Sequence, residues 1–268
     1  MFENSGKYAA FFKIGLKNDI VYAGDVVISL ILRIGTPLVM LAVWYAIYVA
    51  GHATTIGGFS LAQTYSYFFA VSMVGVFTMT GVLWQIQDDV LSGLLSASLV
   101  RPVNYILSSV TMDIAWVFFE SALIGIPMGI MLVLLLHLTL SPVYLALFAA
   151  EIAVALLLMY AIQILVATLG VYVTYVSSIY NAVNTAILLV GGFVLPLNFF
   201  PQQVSGILQY ILPFQIVAYT PAVTFLGAIT ISHALVSIGV AFAWALVLSL
   251  AALAFWRHAI KHIAIAGG

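Results

Sequence analysis

The sequence has no cysteine, which excludes disulfides, thiolate metal sites and cysteine nucleophiles. Charge is nearly as scarce: 6% of the 268 residues are Asp, Glu, Lys or Arg, against about a quarter in ordinary soluble domains. A net charge of −1 offers no basic face for nucleic acid. There is no phosphate-binding loop either. The one Gly-Lys pair, Gly6-Lys7, is followed by Tyr8 rather than Ser or Thr, so the chain cannot bind and hydrolyse a nucleotide in that way by itself. The N-terminal stretch has scattered charges and no small-residue cleavage site after a short apolar core, so it does not read as a signal peptide.

What is present is apolar: 65% of residues are hydrophobic. A bilayer core about 30 Å thick needs roughly 20 apolar residues per helix. Hydropathy places six spans, at Val26–Ala50, Ala62–Trp84, Ala115–Leu136, Val143–Val166, Ile179–Leu197 and Ala234–Phe255. The fold class expected is an all-α integral membrane protein. Residues 1–25 read as an interfacial helix, with Tyr8, Phe11, Phe12 and Leu16 on one arc and Lys13 and Lys17 opposite. Residues 26–268 read as a six-span domain.

Orientation follows from the basic residues. Lys7, Lys13 and Lys17 precede the first span, Arg101 lies between spans two and three, and Arg257 and Lys261 follow the sixth. The opposite connections, Gly51–Leu61, His137–Pro142 and Asn198–His233, hold no Lys or Arg. The positive-inside rule puts both termini in the cytoplasm.

The stretch Gly191–Gly227 is as apolar as a span, yet Pro196, Pro201, Pro213 and Pro221 divide it into pieces too short to cross. Non-helical backbone at membrane depth survives only where protein or a water-filled cavity covers it. The proline order predicts a re-entrant helical hairpin within residues 198–228, with arms Pro201–Ile211 and Pro213–Phe225, on the outer side. Its strongest polar handles are Gln202, Gln203, Gln209 and Gln215, so it reads as an outer gate or lid. The gate residues are Pro196, Phe199, Phe200, Pro201, Pro213, Phe214, Tyr219 and Pro221.

Intramembrane charge is costly and marks function. Arg33 and Glu120 fall at similar depth in spans one and three and predict an interhelical ion pair. Asp113 lies seven residues before Glu120, about 10 Å along the axis, too far to share a proton and best read as interfacial. Glu151, a third of the way into span four, reads as a structural partner. Tyr172, Tyr175, Tyr180, Ser177, Ser178, Asn181 and Asn184 read as interface chemistry at the cytoplasmic ends of spans four and five. His258 and His262 share a helical face but lack a third ligand. Gly125 and Gly129, one turn beyond Ser121, form a small-residue packing face, and Pro127 predicts a kink. No metal or nucleophile–base constellation argues for an enzyme.

The cytoplasmic segment 85–102 predicts one amphipathic helix. Val90, Leu91, Leu94, Leu95 and Leu99 fall on one side, Asp88 and Asp89 stand at its start and Arg101 at its end, and Pro102 stops it.

Two motif strings then carry a resemblance. One is Leu99-Val100-Arg101-Pro102-Val103. The other is Leu195-Pro196-Leu197, Phe199-Phe200-Pro201, Leu212-Pro213-Phe214, Tyr219-Thr220-Pro221 and Leu226-Gly227. With the six spans, the chain resembles the permease subunits of type-2 ABC exporters, in a bacterial and archaeal subgroup. That resemblance implies a multi-pass protein of a prokaryotic cytoplasmic membrane, a coupling helix between spans two and three, and ABC ATPase subunits that carry ATP and Mg on separate chains. It also implies a second permease, identical or a sister, and alternating access at the interface between the two. The ATPase-coupling residues would be Asp88, Asp89, Val90, Leu91, Leu94, Leu95 and Arg101. Spans one, two and five would line the pathway, which brings in Phe68, Met73, Phe77, Asn184 and Phe193, and so few charges suit an amphipathic or lipid-like substrate. The competing class is an ion-gradient-driven secondary transporter using Glu151, Asp113 or Glu120; such carriers often show internal repeats, and none is evident here.

Overall fold

The computed structural model describes residues 5–266 apart from Tyr22, Leu140 and Thr174, with side chains left undescribed at 5, 19–21, 23–27, 29–30, 32–34, 36 and 262–266. Twelve α-helices organise the described residues. Helix α1 (Ser5–Val21) leads into α2 (Ala23–Ala50), which contains Pro37. A two-stranded antiparallel turn pairs β1 (Thr55–Ile56) with β2 (Phe59–Ser60). Ser60 then starts α3 (Leu61–Thr78) through a capping box with Gln63. Next come α4 (Val82–Leu91), α5 (Leu94–Leu99) and α6 (Tyr105–Glu120), the last capped by the Asn104 side chain.

Helix α6 continues through a wide π turn, Ser121–Gly125, into α7 (Ile126–Leu136). The turn sits where Pro127 would otherwise clash with the carbonyl of Leu123, so the predicted disturbance takes the form of a bulge. His137 ends α7 in the left-handed region. Then follow α8 (Pro142–Leu169) and α9 (Ser177–Val190). A 3₁₀ turn (Leu197–Phe199) precedes α10 (Gln202–Tyr210), and another (Phe214–Val217) precedes α11 (Tyr219–Phe225). Helix α12 (Ile231–Ala266) closes the chain.

By length and apolarity, Tyr105–Leu136, Pro142–Leu169 and Ile231–Lys261 can each cross a membrane, and the pair α3–α4 makes a fourth when its 42° bend is taken as one broken span. Pro37–Ala50 and Ser177–Val190 are shorter apolar helices. The protein is an all-α membrane protein.

Four boundaries differ from the hydropathy reading. Span two is broken between Thr78 and Val82. Helix α6 begins ten residues before Ala115, because Asn104 supplies the cap. Helix α12 starts three residues before Ala234 and runs past Phe255. Helix α9 stops at Val190 rather than Leu197, since Gly191 and Gly192 turn the chain there. Gly192 has φ +99°, and a Cβ on it would lie 2.7 Å from the Tyr67 hydroxyl and 2.8 Å from Tyr219 Cβ. Only glycine fits.

The small-residue face packs as its pattern predicts. A Cβ on Gly125 would meet the Phe77 ring at 2.8 Å, and one on Gly129 would meet Met73 Sδ at 3.1 Å, so α7 lies close against α3. Helix α1 packs along α6, with Gly15 against Met112 and Ala115 and Phe12 against Phe118. Tyr8, Phe11, Phe12 and Leu16 are partly covered while Lys13 and Lys17 are exposed. One apolar cluster, around Tyr67, Phe68, Met73, Leu197 and Tyr219, unites α2, α3 and the 191–227 segment.

Gly192→Ala should cost about 2 kcal/mol or more from the left-handed backbone and the two clashes. Gly206→Ala, which meets nothing within 4 Å in α10, should be neutral or slightly stabilising. Thermal unfolding of the two purified variants in one detergent checks the contrast.

Candidate functional site

A helix that breaks inside a membrane strands backbone donors and acceptors that no water can satisfy. Here the break at Met79–Gly81 is closed by side chains from two other helices. Gln163 of α8, fully buried, donates from Nε2 to the Thr80 carbonyl (2.6 Å) and accepts at Oε1 from the Leu83 amide (3.2 Å). Asp113 of α6 accepts the Gly81 amide at Oδ1 (2.9 Å) and the Tyr160 hydroxyl at Oδ2 (2.9 Å). Tyr180 of α9 accepts from Gln163 Nε2 at 3.3 Å. On the other side of the break, the Thr78 hydroxyl donates to the Val217 carbonyl (3.0 Å). Five helices, α3, α4, α6, α8 and α9, and the segment leading to α11 therefore meet at one bend.

Beyond the bend, the segment 85–102 forms two helices rather than one. Gly93, at φ +75°, ends α4's run and starts α5. Asp88 and Asp89 consequently lie in the last turn of α4, not at a helix start, which is the less favourable end for acids. The apolar residues do not share a face: Leu95 is 2% exposed, whereas Leu91, Leu94 and Val100 are 44%, 58% and 86% exposed. Asp89 turns inward and accepts the Tyr105 hydroxyl (2.6 Å). With Arg101 and Phe11 it lines a cleft of about 260 Å³ between α1, α4, α5 and α6. Asp88 is exposed, and Val90 and Arg101 are half-buried and exposed respectively.

In the proline-rich segment, α10 and α11 fall inside the two arms expected from the prolines, but the second arm is a buried insert rather than a surface lid. Gln215 through Thr224 are all buried. Gln215 is not a free handle, since it donates to the Gln209 carbonyl and to Ser237 Oγ. Of the eight expected gate residues only Pro201 is exposed. Pro196, Pro213, Tyr219 and Pro221 are buried, while Phe199, Phe200 and Phe214 are half-buried. Phe199 packs on Trp44 and Phe59. The Tyr67 hydroxyl donates to the Gly192 carbonyl (2.6 Å), tying the start of the segment to α3, and the Tyr219 amide donates to the Gly191 carbonyl (3.0 Å), closing the segment on itself. Glu151, fully buried on α8, accepts the Thr224 hydroxyl at Oε1 (2.9 Å).

Residues 34–267 match the family model described as ABC-2 family transporter protein. The chain belongs to the ABC-2 transporter family. It is thus a multi-pass membrane component of an ABC transporter, a class that works with ABC ATPase subunits. A comparison with curated proteins returned no significant match.

The remaining expected sites of this ABC-2 permease are distributed as follows. Glu120 is buried at 1% exposure, while the Arg33 side chain lies outside the described residues, and so does that of His262. Among the described residues no group of three His, Asp or Glu is placed to hold a metal. The five expected pathway residues do not converge on one cavity. Phe68 and Met73 are core residues of α3, Phe193 packs against Gly75, and Asn184 is half-buried on α9. Met73 and Phe77 do line an apolar groove of about 300 Å³ with Gly125, Gly129, Phe148 and Phe225. Asp113 is a structural acceptor at the bend and not merely interfacial. Tyr172 stacks on Phe255, and Tyr180 packs edge-on against Trp84.

Sequence reasoning missed Gln163, Tyr160 and Thr224. A lone uncharged polar residue in an apolar span gives hydropathy no signal; one glutamine near the end of span four was the available hint. Gln163→Leu leaves the Thr80 carbonyl and the Leu83 amide unpaired and should destabilise the fold by about 2–4 kcal/mol. Faster hydrogen exchange at the Leu83 amide, with α10 unaffected, is the local signature to measure.

Proposed function

We propose that the chain is the permease subunit of an ATP-driven exporter in a prokaryotic cytoplasmic membrane, with six spans and both termini in the cytoplasm. Supporting the span count, the two shorter apolar helices, Pro37–Ala50 and Ser177–Val190, add to the four longer candidates. The basic residues on one side of that topology and their absence from the opposite connections support the orientation. Residues 1–25 then lie at the cytoplasmic interface, 85–102 meet the ATPase, and 198–228 form the outer re-entrant hairpin.

One observation carries the reading: the polar closure of the bend joins the start of α4 directly to α6 and α8. A push on α5 would be carried through Gly93 and α4 to the bend. Asp113 and Gln163 would pass it to α6 and α8, and the Thr78–Val217 bond would pass it to the hairpin. Leu91, Leu94 and Val100 offer an exposed apolar contact for a soluble partner, with Asp88 beside them. This replaces the seven coupling residues by a division of labour. Asp88, Leu91, Leu94 and Val100 face the ATPase, while Asp89, Val90 and Leu95 hold the two helices in place and the exposed Arg101 borders the cleft beside them. ATP and Mg bind on the ATPase subunits, and a second permease, identical or a sister, completes the pathway.

Co-purification tests this. The membrane-extracted chain should bring down an ABC ATPase, and Leu94→Asp with Val100→Asp should reduce its recovery about tenfold or more while the permease elutes unchanged. Transport driven by a proton gradient by a chain that captures no ATPase would overturn the reading.

A further inference from the structure

We propose that the groove between α3, α7, α8 and α11 holds the apolar body of an amphiphile whose primary ammonium head is received by Glu151 and Thr220. This rests on the exporter reading and names the substrate class of that permease. The groove walls are Met73, Phe77, Gly125, Gly129, Phe148 and Phe225, and its mouth is formed by Ile130 and Leu134, both more than half exposed. Its volume, about 300 Å³, suits a small apolar body. Three aromatic rings form a continuous wall: Phe77 meets Phe148 edge-on at 6.0 Å, and Phe148 meets Phe225 at 5.4 Å. Such ring faces attract an organic cation.

Behind that wall stands an acid with unused capacity. Glu151 lies three residues after Phe148, on the same face of α8, and Thr224 immediately precedes Phe225 on α11. Thr224 satisfies Glu151 Oε1, but Oε2 is buried without a hydrogen-bond partner. Thr220, one turn before Thr224 on the same face of α11, likewise has a buried hydroxyl with no partner. A carboxyl in an apolar interior with one oxygen open is costly unless a donor, and preferably a positive one, meets it. A primary ammonium carries three donors and one charge. It can serve Oε2 and the Thr220 hydroxyl together, which a single alcohol donor cannot, and an anionic head would be repelled. Glu151 and Thr220 lie outside the groove lining, so the Phe148 and Phe225 rings must turn aside for the head.

The test uses the full chain in lipid nanodiscs and decylamine carrying a dansyl group at its far end, with matched alcohol and carboxylate probes and empty nanodiscs as baseline. Saturable binding should be about tenfold tighter for the amine than for the alcohol, and weakest for the carboxylate. Glu151→Gln should remove most of that preference, Thr220→Val should reduce it several-fold, and Ile130→Trp, which fills the groove mouth, should weaken all saturable binding. Equal binding of the three heads, or an amine preference that survives Glu151→Gln, overturns the proposal. Should Glu151→Gln fail to fold, an amine preference unchanged in Thr220→Val, or saturable binding undiminished in Ile130→Trp, overturns it instead. The measurement needs no ATPase, so failed ATPase capture leaves its result standing, and loss of head-group preference leaves ATPase capture standing.

Discussion

The arrangement of this protein depends on how a broken membrane helix satisfies its backbone. Three residues between α3 and α4 leave the helical ladder, and hydrocarbon offers them nothing in return. Gln163 answers with both ends of its amide, and Asp113 with both oxygens of its carboxylate. Because those two side chains come from α8 and α6, the repair of one helix fixes the positions of two others. An unpaired amide or carbonyl at this depth would cost several kcal/mol, so the bend and its surroundings form a unit and not a point of slack.

That unit connects two parts of opposite character. Toward the α5 end the surface is small, partly apolar and open to a protein partner. Toward the α11 end the chain folds back into the protein, and its second arm is buried from Gln215 to Thr224. Backbone hydrogen bonds to Gly191 and Gly192 seat the insert, and the glycine at φ +99° lets Tyr67 and Tyr219 close over it. The insert is also held along its middle, by Thr78 at Val217, Ser237 at Gln215 and Glu151 at Thr224.

Much of this was legible in the sequence. The proline spacing gave both short helices of the 191–227 segment, because proline acts locally on the backbone. Span four was placed within a few residues, as a long apolar run between a Ser-Pro start and Gly170 leaves little choice. The glycine pair in span three correctly announced close helix packing. What escaped depends on neighbours distant in sequence. Met79, Thr80 and Gly81 sit inside an apolar run, and nothing local says that the helix stops there; it stops because α6 and α8 supply partners. The coupling segment failed differently. Its leucines fit one helix by periodicity, but Gly93 adopts a left-handed conformation and resets the phase, sending Leu94 outward and Leu95 inward.

The π turn at Ser121–Gly125 has a genetic meaning as well as a steric one. A widened turn accommodates one residue more than a plain helix would over the same rise, and each residue of an α-helix accounts for about 100° of rotation. The half of the helix carrying Met112 and Asp113 and the half carrying Gly125 and Gly129 are thus set at an angle that uniform winding would not give. Loss of a single codon within the bulge would let a plain helix cover the same rise with both faces still aimed at their partners, whereas one codon more would swing one half by about 100°. A change elsewhere in the same helix that kept its length would leave both faces aimed as they are. The bulge is consequently the one stretch of this helix where shortening by a residue keeps both faces in phase and lengthening does not.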